Sequence, residues 1–150
     1  MDIEEIAGEI VDAAVGLHMH LGPGLLESAY ELLLARELER RGLEVERQKV
    51  VPLEFNGIRI EDAFRVDLLV GGCVVVELKS VERLAPVHMK QALTYLRLMD
   101  LHLGFLINFG ALRTTTLRVL RALRERRSCR LPRRREAPAS RRRTPCAPGS

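Results

Sequence analysis

Three ionisable residues stand in two otherwise apolar segments, Asp67 in FRVDLLV (64–70) and Glu77 and Lys79 in CVVVELK (73–79). A buried, unpaired charge is expensive, so segments this rich in Val and Leu have little reason to carry three of them unless they are solvated or reactive. Two carboxylates that meet offer hard oxygen donors of the kind Mg²⁺ takes one or two at a time, with water and a substrate phosphate completing its shell. An ammonium two residues beyond Glu77 can hold an attacking water or offset charge on the phosphate. The chemistry within reach is metal-assisted hydrolysis of a phosphodiester. The plainer alternative is a solvent-facing ladder of ion pairs across a hairpin.

Whether the three meet depends on the turn between the segments. A two-residue loop at Gly71-Gly72 sets Val70 opposite Cys73, pairs Asp67 with Val76 and sends Glu77 to the other face. A three-residue loop, for instance Val70-Gly71-Gly72 with Gly72 left-handed in a bulge, sets Asp67 opposite Val75 and diagonal to Glu77. Diagonal neighbours lie roughly 7–8 Å apart at Cα, and Asp67, Glu77 and Lys79 then share one face. Both registers are open at this level.

The flanking elements are legible from periodicity. Ile3, Ile6, Ala7, Ile10, Ala13, Ala14, Leu17 and Leu21 recur at helical spacing, which predicts an amphipathic helix over 2–20. Gly22-Pro23-Gly24 ends it, and Pro23 suits the first position of a second helix, about 24–41, closed by Gly42. From Glu44 the period becomes two, with Asn56-Gly57 as a hairpin turn. Pro86 opens a third helix, about 87–100, and LGFLINF (103–109) reads as a buried strand. TTTLRVL, after Gly110, fits either a last strand or the start of a helix. The order α-α-β-β-β-α-β predicts an α/β or α+β sandwich, a mixed sheet flanked by helices.

Composition narrows the class. The 150 residues suit one domain, and no apolar run approaches the roughly 20 residues of a membrane span. The acidic start MDIEEIAGEI is unlike an export signal, which gives a cytoplasmic expectation. Three cysteines without a CxxC pair suit neither a disulfide scaffold nor a zinc finger and are expected as free thiols. His18 and His20, two apart, point to different helix faces and make no zinc pair. The formal charge of +4 is unevenly spread: residues 121–150 hold 11 Arg against Glu125 and Glu136, while residues 1–120 hold 13 Lys and Arg against 18 Asp and Glu. The expected division is therefore a folded domain over 1–120 and a disordered Arg/Pro-rich tail over 121–150. That tail is either a polycation for phosphate backbones or a solvated extension.

Taken together, Asp67 and Glu77-Leu78-Lys79 on adjoining strands, followed by a helix with Gln91 and Tyr95, resemble the core of the PD-(D/E)XK nuclease superfamily, which has a restriction-endonuclease-like fold. Gly24-x-x-Glu27-x-x-Tyr30 within HMHLGPGLLESAY (18–30), with the segments LAPVHMKQALTYL and VVVELKS, is similar to the GxxExxY family grouped with it. The likeness runs over about 3–120. It implies that Asp67, Glu77 and the Leu78 carbonyl bind Mg²⁺, with Mn²⁺ as a substitute, and that Lys79 assists catalysis. Glu27 would match an extra carboxylate supplied to the metal from the helix before the sheet, and Gln91 and Tyr95 a QxxxY pattern at the site. The residue before Asp67 is Val66 where the superfamily pattern has Pro, which removes no ligand.

Other readings of the same residues are local. Glu27 suits the early turns of a helix, Tyr30 can pack between the two helices, and His102 can complement a helix C-terminus. His88, Gln91 and Tyr95 share one face of the third helix and are expected to reach toward the site. The leading expectation is a Mg²⁺-dependent nuclease acting on nucleic acid, DNA rather than RNA. The alternative is a catalytically silent nucleic-acid-binding or assembly module. The acidic body, with a net charge of −5 over 1–120, expects its basic track from the tail, a second subunit in a homodimer, or a protein partner.

Overall fold

The computed structural model describes residues 1–121. The elements run α1 (Ile3–Leu21), α2 (Glu27–Arg40), β1 (Val45–Phe55), β2 (Ile58–Val70), β3 (Val74–Lys79), α3 (Pro86–Leu98), β4 (Leu103–Asn108) and β5 (Thr115–Leu120). The sheet order is β1-β2-β3-β4-β5. β3 and β4 are parallel and the other neighbours antiparallel, so α3 is the crossover of a βαβ unit. This is the expected mixed sheet with flanking helices. TTTLRVL supplies the fifth strand.

Two apolar layers sandwich the sheet. On one side Ile6, Ile10, Ala14, Leu34 and Leu38 of α1 and α2 pack on Leu68, Val76, Leu78, Phe105 and Ile107. On the other, Ala92, Tyr95 and Leu96 of α3 pack on Val66, Leu69, Val75 and Leu106. The central strands β3 and β4 are covered on both faces, which is why they read as continuous apolar runs.

Local chemistry sets most boundaries. Asp2 caps α1 by accepting the Glu4 and Glu5 N–H groups, with Glu5 returning a bond to the Asp2 N–H. Asn56 and Gly57, both at positive φ, turn the β1–β2 hairpin. α2 begins at Glu27, not at 24: Gly22 and Gly24 at positive φ keep the chain in a loop, so Pro23 is a loop residue. Gly42 ends α2 at φ +85°, with Leu43 N–H returning to the Leu38 carbonyl. At the end of α3, Arg121 rather than His102 reaches the Leu96 carbonyl. Cys73 is disulfide-bonded, which corrects the free-thiol expectation at that position. Residues 122–150, most of the basic tail, lie outside the described residues. No helix among the described residues is long and apolar enough to cross a membrane.

Candidate functional site

The β2–β3 turn is a three-residue loop, Gly71-Gly72-Cys73, closing on the pair Val70–Val74. The odd loop length expected for a joined set is present, but moved one residue along the chain. Leu68 therefore faces Val76, and the same register carried one residue further sets Asp67 across from Glu77 rather than diagonal to it. Gly71 and Gly72 both sit at positive φ, the backbone that this turn requires.

The regular ladder between β2 and β3 stops at Leu68–Val76 although both strands run on. Side chains fill the notch. The Leu78 N–H donates to Asp67 Oδ2 at 2.8 Å, and the Asp67 N–H donates to Glu77 Oε1 at 3.3 Å. Lys79 Nζ lies 3.7 Å from Glu77 Oε2 and 4.0 Å from Glu27 Oε1. Asp67, Glu77 and Lys79 are thus brought together, and Glu27 joins them from the first turn of α2.

Electrostatics follow from burial. The Glu77 side chain is 3% exposed, and desolvation followed by the neighbouring Asp67 carboxylate pushes its pKa up to about 8. Asp67 is also raised, chiefly by burial, with the Leu78 N–H pulling the other way. Tyr95 is raised by burial and then by Glu77, so its hydroxyl stays protonated at neutral pH. Gln91 Nε2 donates to that hydroxyl at 2.6 Å, which leaves the Tyr95 proton for another acceptor.

Glu27 meets the site through Lys79, whose Nζ lies within 4.0 Å of both Glu27 and Glu77, and its charge acts on Asp67 and Glu77. Among the described residues no group of three or more His, Cys, Asp or Glu gathers as a metal-holding cluster. The donor set at the notch is therefore two carboxylates side by side. It suits a hard cation with few protein ligands, because a cation there would offset both the burial and the neighbouring Asp67 charge that raise Glu77.

The surroundings fix the neighbours of the site. Tyr30 is fully buried, stacks on Phe109 with ring centroids 4.4 Å apart, donates its hydroxyl to the Gly22 carbonyl and accepts the Leu25 N–H. It packs, and it shapes the loop that delivers Glu27. His88 turns back to accept the Ala85 N–H at the start of α3, so it caps its helix instead of facing the site. His18 is buried against the Ala111 carbonyl, and His20 bonds within α1.

Several residues outside the expected set hold it in place. Asn108 bridges both backbone groups of Val81 and takes the Gly110 N–H, which clamps the chain just after Lys79. A Cβ on Gly110 would lie 2.3 Å from the Val81 nitrogen, so only glycine fits there. Glu31, 4% exposed, is held by Arg47 at 3.0 Å and by Gln48 at 2.7 Å. Its i, i+4 spacing from Glu27 was the available signal for Glu31; nothing in the sequence marks Gln48 or Asn108.

No curated protein matches the chain. A solved structure titled "Crystal structure of SSO0001" is 18% identical, with a TM-score of 0.49, over 64% of this chain and 50% of that one. The chain thus spans half the length of that relative. The family model described as the PD-(D/E)XK nuclease superfamily matches residues 4–120, which contain every strand and helix above but for the first residue of α1, and the whole Asp67–Glu77–Lys79 notch, and the chain belongs to that superfamily.

Proposed function

We propose that the protein is a cytoplasmic, Mg²⁺-dependent nuclease that hydrolyses phosphodiester bonds of nucleic acid, DNA in preference to RNA, with Mn²⁺ as a substitute ion. What carries the reading is the pairing of the buried Glu77 carboxylate with the half-buried Asp67 carboxylate, with the Lys79 ammonium 3.7 Å from Glu77, inside a nuclease-superfamily domain. Asp67, Glu77 and the Leu78 carbonyl would hold the ion, which supplies a polarised phosphate and an activated water. Lys79 orients the nucleophile and offsets phosphate charge. Glu27 keeps Lys79 turned into the site and completes its acidic wall. Tyr95, its hydroxyl held by Gln91, has a proton to donate toward the substrate.

Within the superfamily the chain is a GxxExxY protein, carried by Gly24, Glu27 and Tyr30. Its catalytic domain spans 1–120, and the tail over 121–150, with 11 Arg, supplies the phosphate attraction that the acidic domain lacks. A second subunit or a protein partner is the other source of such a track.

The test is cleavage of supercoiled, linear and single-stranded DNA, and of RNA, with Mg²⁺ or Mn²⁺ by wild type and Lys79→Ala. Metal-dependent cutting that is lost in Lys79→Ala is the expected result. DNA binding without cutting under either metal would instead make the chain a silent binding module.

A further inference from the structure

Val66 and Leu68 lie two residues apart on β2, yet Val66 packs under α3 and Leu68 under α1 and α2. Simple alternation would put them on one face, so the strand reverses its faces at Asp67. The partner strand breaks at the matching point. Arg47–Leu68 and Lys49–Val66 are paired, but the pair between them, Gln48 with Asp67, is missing from the ladder. Gln48 has φ +49°, a left-handed backbone in the middle of a strand that costs a non-glycine residue on the order of 1 kcal/mol.

That conformation turns Gln48 toward α2. Its Nε2 donates to Glu31 Oε2 at 2.7 Å and to Asp67 Oδ1 at 3.4 Å. Both partners are carboxylates, which only accept, so the amide must present its nitrogen to them. Glu31 is itself anchored by Arg47 and buried. Asp67 Oδ2 is meanwhile taken by the Leu78 N–H, so its two oxygens are held from opposite sides.

We infer that Gln48, braced by Glu31, is the positioning residue that fixes the Asp67 carboxylate in the notch. The strained backbone at Gln48 is kept because it aims the amide. The consequence for an ion rests on the metal reading above, but the positioning itself does not, and the two are measured separately.

The experiment uses the full chain and Gln48→Gly, since glycine accepts φ +49° without strain and removes only the amide. Amide hydrogen exchange is read at Leu78, whose N–H is bonded to Asp67. Leu78 should lose at least about tenfold in protection in Gln48→Gly, with Val76 and Ile107 unchanged. Unchanged protection at Leu78 overturns the inference. Should the glycine variant lose protection everywhere, Gln48→Asn is judged by the same two outcomes, because asparagine tolerates left-handed φ but is too short to bridge Glu31 and Asp67. Glu31→Gln should lower Leu78 protection in the wild-type background and leave it unchanged in Gln48→Gly; an equal effect in both overturns the bracing. Mn²⁺ titration by calorimetry then reads the ion, with affinity about tenfold weaker in Gln48→Gly. Absence of Mn²⁺ binding by wild type, with Leu78 still responding to Gln48, removes the metal reading and leaves the positioning intact.

Discussion

Asp67 and Glu77 each take a backbone N–H from the other's strand: Leu78 N–H goes to Asp67 Oδ2 at 2.8 Å, and Asp67 N–H to Glu77 Oε1 at 3.3 Å. The ladder bonds that would join β2 to β3 at this point are replaced by carboxylates. The hairpin is therefore closed by the same groups that form the site, and stability and charge at the notch are coupled.

The first consequence is a pH dependence. The folded pKa of Glu77 is about 8 against an ordinary 4.5, and Asp67 is raised as well. Between those values the folded state binds more protons than the unfolded chain, so stability is greatest below about pH 4.5 with respect to these groups and falls as pH rises toward 8. Thermal melting in chelator should show the midpoint falling over that window, and Glu77→Gln should flatten the slope. A wild-type midpoint rising from pH 5 to 8, with no change in Glu77→Gln, would contradict the assignment.

Divalent cation should reverse that loss. Mn²⁺ at a hundred times its dissociation constant stabilises a folded protein by about 2.7 kcal/mol if the unfolded chain does not bind. The melting midpoint at pH 8 should rise with Mn²⁺ in wild type and not in Asp67→Asn. Equal rises in both would place the ion elsewhere.

Tyr30→Phe keeps the stack on Phe109 but removes the hydroxyl from the Gly22 carbonyl and the Leu25 N–H. The expected cost is about 1 kcal/mol, read by urea denaturation, because part-buried backbone groups lose their partner. Cleavage should also weaken, since this loop delivers Glu27 to Lys79. An unchanged denaturation midpoint would show that water replaces the hydroxyl.

Gly110→Ala would drive a methyl into the Val81 backbone, and overpacking of this kind costs about 1–3 kcal/mol. The displaced segment follows directly on Lys79, so activity should fall further than the loss of folded protein accounts for. Circular dichroism and cleavage measured on the same sample separate the two effects.

Truncation after Arg121 removes ten arginines and leaves the acidic domain. Binding of double-stranded DNA, measured against salt by fluorescence anisotropy, should lose both affinity and most of its salt slope. A slope unchanged by truncation would assign the phosphate contacts to the domain itself.

The sequence by itself determined most of the elements, the last strand and the start of α2 excepted, and the chemistry on offer. Helical periodicity from Ile3 to Leu21, the Asn56-Gly57 turn, Pro86 at the start of α3 and the apolar runs of β3 and β4 are local signals, and local sterics and burial enforce them. The types and spacing of Asp67, Glu77 and Lys79 likewise suffice to suggest metal-assisted hydrolysis. Only tertiary structure decided how they meet. Two glycines permit a loop of two or three residues, and which three form it is settled by the packing of Leu68 and Val76 under α1 and α2, a contact between distant parts of the chain. The same holds for Gln48, whose left-handed backbone no sequence rule would place in a strand, for Lys79 lying within reach of both Glu27 and Glu77, and for His88, which caps its own helix although its spacing from Gln91 and Tyr95 suggested the site. Side-chain direction at a strand end depends on where the ladder stops, and that is fixed by the neighbouring strands rather than by the residue itself.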